Sequence, residues 1–130
     1  MNAINLYRNY SASCSTHLTR VYSSSFFMGI RLFSKPYREP ICAVYGFVRL
    51  ADEIVDSFHD QDKQVLLAEF RRETRSALER KFSLNPILHA FQEVVHDYRI
   101  PEDLIEAFLT SMEMDLELER CDEELFNQYV

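Results

Sequence analysis

Residues 41–56 read ICAVYGFVRLADEIVD, and this stretch decides the class of fold. Between Ile41 and Ala51 the only charged residue is Arg49, so apolar side chains surround most of the helix that this stretch predicts. A helix that is apolar nearly all round is buried inside a large protein, yet a short chain offers few layers with which to bury it. We therefore expect a covering partner, either another chain or a further part of the same fold.

Prolines locate the other predicted elements. Pro36, Pro86 and Pro101 each stand where a first helical residue is expected, because the missing N–H costs nothing there, and Asn85 is a good N-cap. The chain has only 2 Gly and 4 Pro, which disfavours the many tight turns of an all-β domain. The sequence predicts an all-α fold with helices over 4–21, 36–58, 62–81 (starting near Asp60 or Asp62), 86–98 and 101–118. An irregular serine-rich segment is expected over 22–25, and Asp122 is expected to cap a sixth helix.

Composition and charge limit the partners of the chain. Hydrophobic residues make up 47% and charged residues 27%, which is typical of a globular protein. The net charge of −7 opposes nucleic-acid binding, which depends on neutralising phosphates with Lys and Arg. The three cysteines form no CxxC pair, so we expect buried, free thiols in a reducing compartment. No run approaches the ~20 apolar residues of a membrane-spanning helix, so we expect a cytoplasmic protein, which can also rest peripherally on a membrane surface.

Four polar residues share one face of the helix over 36–58. At ~100° per residue, with Tyr45 at zero, Arg49 falls near ~40°, Asp52 near ~340° and Asp56 near ~20°. A solvated face explains this stripe as well as a site does on spacing alone. However, like charges at i,i+4 destabilise a helix, and the aspartates continue directly from a buried segment. Carboxylates that face a cavity need compensation, which Arg49 or a divalent cation can provide.

The donor types indicate which cation and which ligand would suit this stripe. Oxygen donors without His or Cys suit Mg²⁺, which typically takes one or two carboxylates and completes its shell with water and phosphate oxygens. Arg49 lies one turn before Asp52 and can contact a phosphate oxygen directly. The stripe is therefore predicted to bind Mg²⁺ and a diphosphate or triphosphate.

Other polar patterns have ordinary interpretations. The hydroxyls in Tyr22-Ser-Ser-Ser-Phe26 can bind phosphate at a helix start, although a serine-rich turn that caps the next helix is the more frequent meaning of such a pattern. The charged residues over 66–81 predict a surface helix with i,i+4 ion pairs. The four histidines show no metal-ligand spacing, so we expect structural or surface roles for them.

The order of these motifs resembles the squalene/phytoene synthase family. The resemblance rests on Tyr22-Ser-Ser-Ser-Phe26, then Tyr45-x-x-x-Arg49-x-x-Asp52-Glu-x-x-Asp56, then Met112-Glu-Met-Asp-Leu116 and Asp122-Glu-Glu-Leu125. The segment 112–116 is more similar to phytoene synthases than to squalene synthases. The resemblance covers residues 22–130.

The resemblance implies an all-α isoprenoid-synthase bundle around a central cavity, of which residues 1–130 would form the N-terminal part as a single partial domain. It implies head-to-head (1′-1) condensation of two prenyl diphosphates through a cyclopropyl diphosphate, giving phytoene from geranylgeranyl diphosphate or squalene or dehydrosqualene from farnesyl diphosphate. NADPH would be needed only for squalene. Asp52, Asp56 and Arg49 would be the catalytic residues, and Asp52 and Asp56 would hold Mg²⁺. The substrate-binding residues implied are Tyr22, Ser23, Ser25, Phe26, Tyr45 and Arg49.

Two departures from the family pattern stand out. Many relatives have His where Tyr22 stands, so the contact of Tyr22 with phosphate does not follow from the resemblance alone. The second aspartate-rich motif of the family has no counterpart in these 130 residues. We therefore expect a truncated chain that lacks the C-terminal half of the fold and has no activity alone, which turnover of a prenyl diphosphate would contradict. The alternative from another class is a non-enzymatic helical module that binds a partner protein.

Overall fold

The computed structural model describes residues 2–129, and every regular element in that range is an α-helix, as predicted. The helices are α1 (Ala3–Tyr22), α2 (Ser24–Ile30), α3 (Lys35–Asp56), α4 (Lys63–Arg80), α5 (Pro86–Asp97) and α6 (Glu102–Tyr129). Met1 and Val130, which the predicted domain over 1–130 includes, lie outside the described residues. Among the described helices, none is long and apolar enough to cross a membrane.

Side-chain caps explain several helix starts. Asn2, Ser23, Asp62 and Asn85 each accept a hydrogen bond from a backbone N–H in the first turn of the helix that follows. Such a cap satisfies an N–H that the helix itself leaves without a partner. The predicted Asn85 cap is confirmed, as is the earlier capping interpretation of the serine-rich segment.

Helix α3 is central to the fold, because it packs against α1, α4, α5 and α6. On the side of α5, the ring of Phe47 stacks on that of Phe91 with centroids 3.8 Å apart. On the side of α1, the buried Ser15 lies against Gly46, where an added Cβ would come within 3.4 Å of Ser15 Oγ. Small residues at this crossing let the two helices approach closely. The core includes these buried residues: Phe47, Ala51, Ile54, Val55, Leu67, Phe70, Leu88, Phe91, Val95, Ile105 and Leu109.

Three expectations from the sequence are wrong in detail. The irregular segment over 22–25 is reduced to Ser23, since α1 runs through Tyr22 and α2 begins at Ser24. The two helices predicted on either side of Asp122 are one continuous helix, α6. Neither Gly nor Pro occurs between Glu102 and Tyr129, and a capping residue alone does not end a run of good helix formers.

The third correction concerns the ion pairs of α4, which connect two helices instead of successive turns of one. Arg71 pairs with Glu106 and Glu113 of α6, and Arg75 also pairs with Glu106. Arg71 is largely buried, so this part of α4 is an interhelical contact and only its other side is a solvated face. The sequence pattern could not show this, because the partners lie on a helix far along the chain.

The expectation that the cysteines are buried is confirmed only for Cys42. Cys14, Cys42 and Cys121 are all free thiols, but Cys14 is half-buried and Cys121 is exposed. His89 is buried, and its Nδ1 accepts a hydrogen bond from the Ser83 N–H at 3.2 Å. This histidine therefore has a structural role.

Candidate functional site

The polar stripe of α3 lies at the edge of the helical core, partly covered by its neighbours. Tyr45, Arg49 and Asp52 are half-buried, and Asp56 is exposed at the last residue of the helix. The opposite side of α3 is buried through Phe47 and Ile54. A fully solvated face is therefore excluded for three of the four residues.

An apolar groove of about 670 Å³ begins at one end of the stripe. Tyr45 belongs both to the stripe and to the groove wall, so the polar and apolar surfaces meet at this residue. The volume lies within the ~300–1,000 Å³ range of small-molecule sites. The groove is lined by side chains from α2, α3, α5 and nearby loops: Phe26, Phe33, Tyr37, Pro40, Ile41, Val44, Tyr45, Val48, Val94, Tyr98 and Ile100.

Aromatic residues from the α1–α2 junction contact the stripe. The Tyr22 ring lies under the Arg49 guanidinium, with 5.2 Å from Arg49 Cζ to the ring centroid, a distance at which a cation–π attraction operates. The Phe26 ring stacks on Tyr45 with centroids 4.8 Å apart. Two residues predicted from the serine-rich segment are thus brought against two predicted from α3.

The serines of this segment occupy different positions. Ser23 Oγ accepts a hydrogen bond from the Phe26 N–H at 3.2 Å, so it caps α2 and fixes where Phe26 begins its turn. Ser25 is exposed on α2. Phe47, on the opposite side of α3, is part of the core.

Glu53 is the main feature of the site that the sequence interpretation missed. Its carboxylate accepts a hydrogen bond from Arg49 Nη2, and Glu53 is only 8% exposed. A hydrogen bond from Ser57 and the pairing with Arg49 together lower the pKa of Glu53, although burial opposes this shift. The i,i+4 spacing of Arg49 and Glu53 was the available signal, since such pairs meet on one helix face.

The pairing of Arg49 with Glu53 changes the charge balance at the aspartates. Burial raises the pKa of Asp52, and repulsion from Asp56 raises it further, while Arg49 partly opposes the shift. Asp115 also contributes to the raised pKa, which brings the α6 segment over 112–116 into the electrostatic environment of the stripe. The stripe therefore carries more negative charge than its one guanidinium neutralises.

Arg49 retains hydrogen-bonding capacity beyond its contact with Glu53. Its Nε is buried and has no hydrogen-bond partner among the described residues. A buried N–H without a partner costs free energy that a suitable acceptor would recover. Phosphate oxygens are such acceptors for a guanidinium.

Metal-binding groups are limited in number around the stripe. Within residues 2–129 no cluster of three or more His, Cys, Asp or Glu side chains could hold a metal ion. The aspartates of α3 could thus provide at most two carboxylates. Mg²⁺ commonly binds proteins through one or two carboxylates and takes its remaining ligands from water and phosphate.

Comparison with known proteins gives a family match over most of the chain. The family model described as squalene/phytoene synthase matches residues 19–130, which include the serine-rich segment, the stripe and the segment over 112–116. The resemblance expected from the motifs is confirmed. No solved structure gives a significant match to the chain.

Three relatives illustrate how much of a longer protein the chain represents. A presqualene diphosphate synthase of Rhodopseudomonas palustris is 30% identical over 103 residues, or 79% of this chain and 37% of the relative. A bifunctional lycopene cyclase/phytoene synthase of Aspergillus oryzae is 34% identical over 88 residues, or 65% of this chain and 14% of the relative. A phytoene synthase of Cereibacter sphaeroides is 30% identical over 106 residues, or 75% of this chain and 30% of the relative. The chain spans little more than a third of the first of these relatives and less of the other two.

Proposed function

This chain belongs to the squalene/phytoene synthase family, and from that premise we propose that it forms the first diphosphate-binding half of a prenyltransferase. The reaction proposed is the head-to-head (1′-1) condensation of two prenyl diphosphates through a cyclopropyl diphosphate. One observation carries the proposal: the half-buried Arg49 and Asp52 lie on the same helix face as Tyr45, which lines a large apolar groove.

The juxtaposition of charge and apolar surface matches the two parts of a prenyl diphosphate. The charged head needs cations and hydrogen-bond donors, which the stripe would supply. The isoprenoid tail is a hydrocarbon whose transfer from water is favourable in proportion to the apolar area buried. The groove that starts at Tyr45 would bind this tail.

Arg49 would bind the diphosphate through the N–H groups that Glu53 leaves available. Its position is held from two sides, by the hydrogen bond to Glu53 and by the Tyr22 ring. A guanidinium that is already oriented loses little entropy when the ligand binds, and it can stabilise negative charge that develops as the C–O bond breaks.

The residues at the stripe fit a Mg²⁺ ion. Asp52 and Asp56 offer only oxygen donors. Burial and then repulsion from Asp56 raise the pKa of Asp52, and a cation would relieve both effects. When bound, Mg²⁺ would neutralise charge on the departing diphosphate. Glu53 is not proposed as a ligand, because Arg49 occupies its carboxylate.

The aromatic residues beside the stripe would protect the reacting carbon. Loss of diphosphate leaves an allylic cation, which water would quench. The stacked rings of Phe26 and Tyr45 line the groove where it meets the stripe, and there they would exclude water and present π-faces to the cation.

The product proposed is phytoene, from two geranylgeranyl diphosphates, as in carotenoid biosynthesis. Two of the three relatives carry phytoene synthase in their names. The segment over 112–116 is also more similar to phytoene synthases than to squalene synthases. The alternative is squalene or dehydrosqualene from farnesyl diphosphate, with NADPH required for squalene only. The presqualene diphosphate synthase relative supports that alternative.

Calorimetric titration tests the proposal. The purified chain is titrated with a thiolo analogue of geranylgeranyl diphosphate that does not lose diphosphate to form the allylic cation. We expect binding that requires Mg²⁺ and that weakens by roughly 10- to 100-fold in Asp52→Asn. Asp60→Asn, which changes an exposed loop residue, is the matched control. Absence of Mg²⁺-dependent binding, or equal losses in the two variants, would contradict the proposed site.

The same titration separates the two product classes. If the groove suits a C20 tail, the geranylgeranyl analogue should bind more tightly than the farnesyl analogue, because five further carbons are removed from water. Tighter binding of the farnesyl analogue would favour the squalene-type alternative. A non-enzymatic interaction module would bind neither analogue.

A further inference from the structure

Helices α4 and α5 are closed at their C-terminal ends by their own backbone. Lys81 and Arg99, which follow these helices, have φ of 59° and 53°, in the left-handed region that commonly ends a helix. The N–H of the next residue then donates to a carbonyl of the last turn, to Ala77 at 3.3 Å in α4 and to Val95 at 2.9 Å in α5. These two ends are thus capped from within their own segments.

The C-terminal end of α3 is closed in a different way. Ser57, the residue after this helix, has φ of −116°, so the chain does not take the left-handed turn there. The carbonyl of Val55 instead accepts a hydrogen bond from Lys63 Nζ at 2.8 Å. Lys63 is the first residue of α4, so a side chain of the next helix supplies the donor. Its positive charge also interacts favourably with the C-terminal end of the helix dipole.

Lys63 is itself held by its surroundings. Its side chain is only 13% exposed, and its Nζ lies 3.6 Å from Glu119 Oε1 of α6. The neighbouring Gln64 also reaches α6, because its Nε2 donates to Glu117 Oε2 at 3.4 Å. Lysine side chains usually extend their ammonium group into water, whereas this one lies between a carbonyl and a carboxylate. The end of α3 is therefore fixed by a contact that involves both α4 and α6.

The functional side chain nearest to this contact along the chain is Asp56. It is the last residue of α3 and directly follows Val55, so it lies one turn after Asp52 only while the last turn stays helical. Helix ends fray where their last carbonyls lack donors. We propose that Lys63 is a positioning residue, which fixes the last turn of α3 so that Asp56 can bind Mg²⁺ together with Asp52. This inference rests on the proposed function.

The Mg²⁺ requirement of analogue binding tests this role. Lys63→Met keeps the apolar part of the side chain and removes the ammonium group. We expect the Mg²⁺ concentration at half-maximal binding of the thiolo analogue to rise by roughly tenfold, as for other partners that orient metal ligands. Lys63→Arg keeps a cationic donor and should show a smaller rise. Lys35→Met, at the exposed opposite end of α3, is the matched control, and equal rises in it and in Lys63→Met would overturn the inference.

A double-mutant cycle separates positioning from general support of the fold. Asp56→Asn removes the carboxylate that Lys63 is proposed to position and leaves Asp52 to bind Mg²⁺ at higher concentration. If Lys63 acts through Asp56, adding Lys63→Met to this variant should change its Mg²⁺ requirement little, because the two substitutions then remove the same interaction. A further rise of the same size as in the unchanged background would show that Lys63 supports the fold in general, and the inference would be wrong.

Amide hydrogen exchange tests the helix end without Mg²⁺ or a prenyl diphosphate. The Ser57 N–H donates to the Glu53 carbonyl at 2.9 Å in the last turn of α3. Lys63→Met should speed its exchange by roughly tenfold, as expected for the loss of one hydrogen bond from a charged donor. The Tyr98 N–H, which closes α5 in the same way, should exchange as before.

The exchange result also separates this inference from the proposed function. Unchanged exchange at Ser57 in Lys63→Met would overturn the inference and leave the proposed function standing. Faster exchange there, in a chain that shows no Mg²⁺-dependent binding of the analogue, would contradict the proposed function, while the hold of Lys63 on the end of α3 would stand.

Discussion

Carboxylates lie beside arginines in two regions of this molecule, and the pKa of the carboxylate shifts in opposite directions in the two. Between α4 and α6, Glu106 contacts Arg75 through Nε at 2.8 Å and also pairs with Arg71. Hydrogen bonds from Arg75 and then Arg71 lower the pKa of Glu106 to about 2. On α3, burial and the neighbouring Asp56 raise the pKa of Asp52.

The difference separates charges that hold the fold together from charges that the proposed function assigns to a ligand. Glu106 is bound by two guanidinium groups and its ionised form is favoured in the folded state. Asp52 shares one guanidinium with a better-placed competitor, Glu53, and its ionised form is disfavoured. Folding disfavours the ionised form of Asp52, which is the form that would bind a cation. Selection for stability alone would remove such a carboxylate, so Asp52 is a candidate for binding.

Arg71→Leu should produce the largest loss of stability. Arg71 is largely buried and pairs with both Glu106 and Glu113, so its removal leaves Glu113 without its arginine and leaves Glu106 with Arg75 alone. We expect the free energy of unfolding to fall by about 2 kcal/mol, less than for a fully buried pair because the glutamates are partly exposed. Urea denaturation measures this. Arg72→Leu, one residue away and exposed, is the control, and equal losses would mean that the α4–α6 pairs are not structural.

Glu53→Gln should weaken ligand binding more than it changes the fold. The amide keeps the shape of the side chain but removes the charge that orients Arg49. We expect affinity for the Mg²⁺–diphosphate analogue to fall by about tenfold, equivalent to about 1.4 kcal/mol. Glu69→Gln, which changes an exposed residue of α4, should leave affinity unchanged. If Glu53→Gln binds as well as the unchanged chain, Arg49 needs no orientation by its neighbour.

The two regions should also differ in their response to acid. Glu106 has a lowered pKa, so its contribution to stability is full above its ordinary value near 4.5 and is lost as pH falls through about 2. The difference in unfolding free energy between the unchanged chain and Glu106→Gln should therefore shrink over that window. A difference that stays constant down to pH 2 would show that the ion pairs with Glu106 contribute nothing.

Local patterns predicted some of these features, and long-range contacts determined the others. Helical geometry alone placed Tyr45, Arg49 and Asp52 on one face, and the capping preference of Asn85 located the start of α5. Whether Arg49 pairs with Asp52 or with Glu53 depends on side-chain rotamers within one helix. The ion pairs of α4 and the walls of the groove depend on tertiary packing, which spacing along the chain does not encode.

Asp52→Asn should have the smallest effect on the free energy of unfolding, and the sign of this effect is the decisive feature. The raised pKa means that ionised Asp52 costs stability at neutral pH, and that this cost disappears as pH falls through the raised pKa and below the ordinary value of 3.8. We expect the variant to be more stable by about 0.5 kcal/mol at pH 7, a magnitude typical of like charges at i,i+4. Thermal denaturation at pH 7 and near pH 3 measures this, with Asp60→Asn as the control.

Stabilisation at pH 7 together with lost Mg²⁺-dependent binding would mean that the carboxylate is kept at the expense of stability, as binding groups are. Destabilisation would instead make Asp52 a structural residue like Glu106, and the contrast between the two regions would disappear.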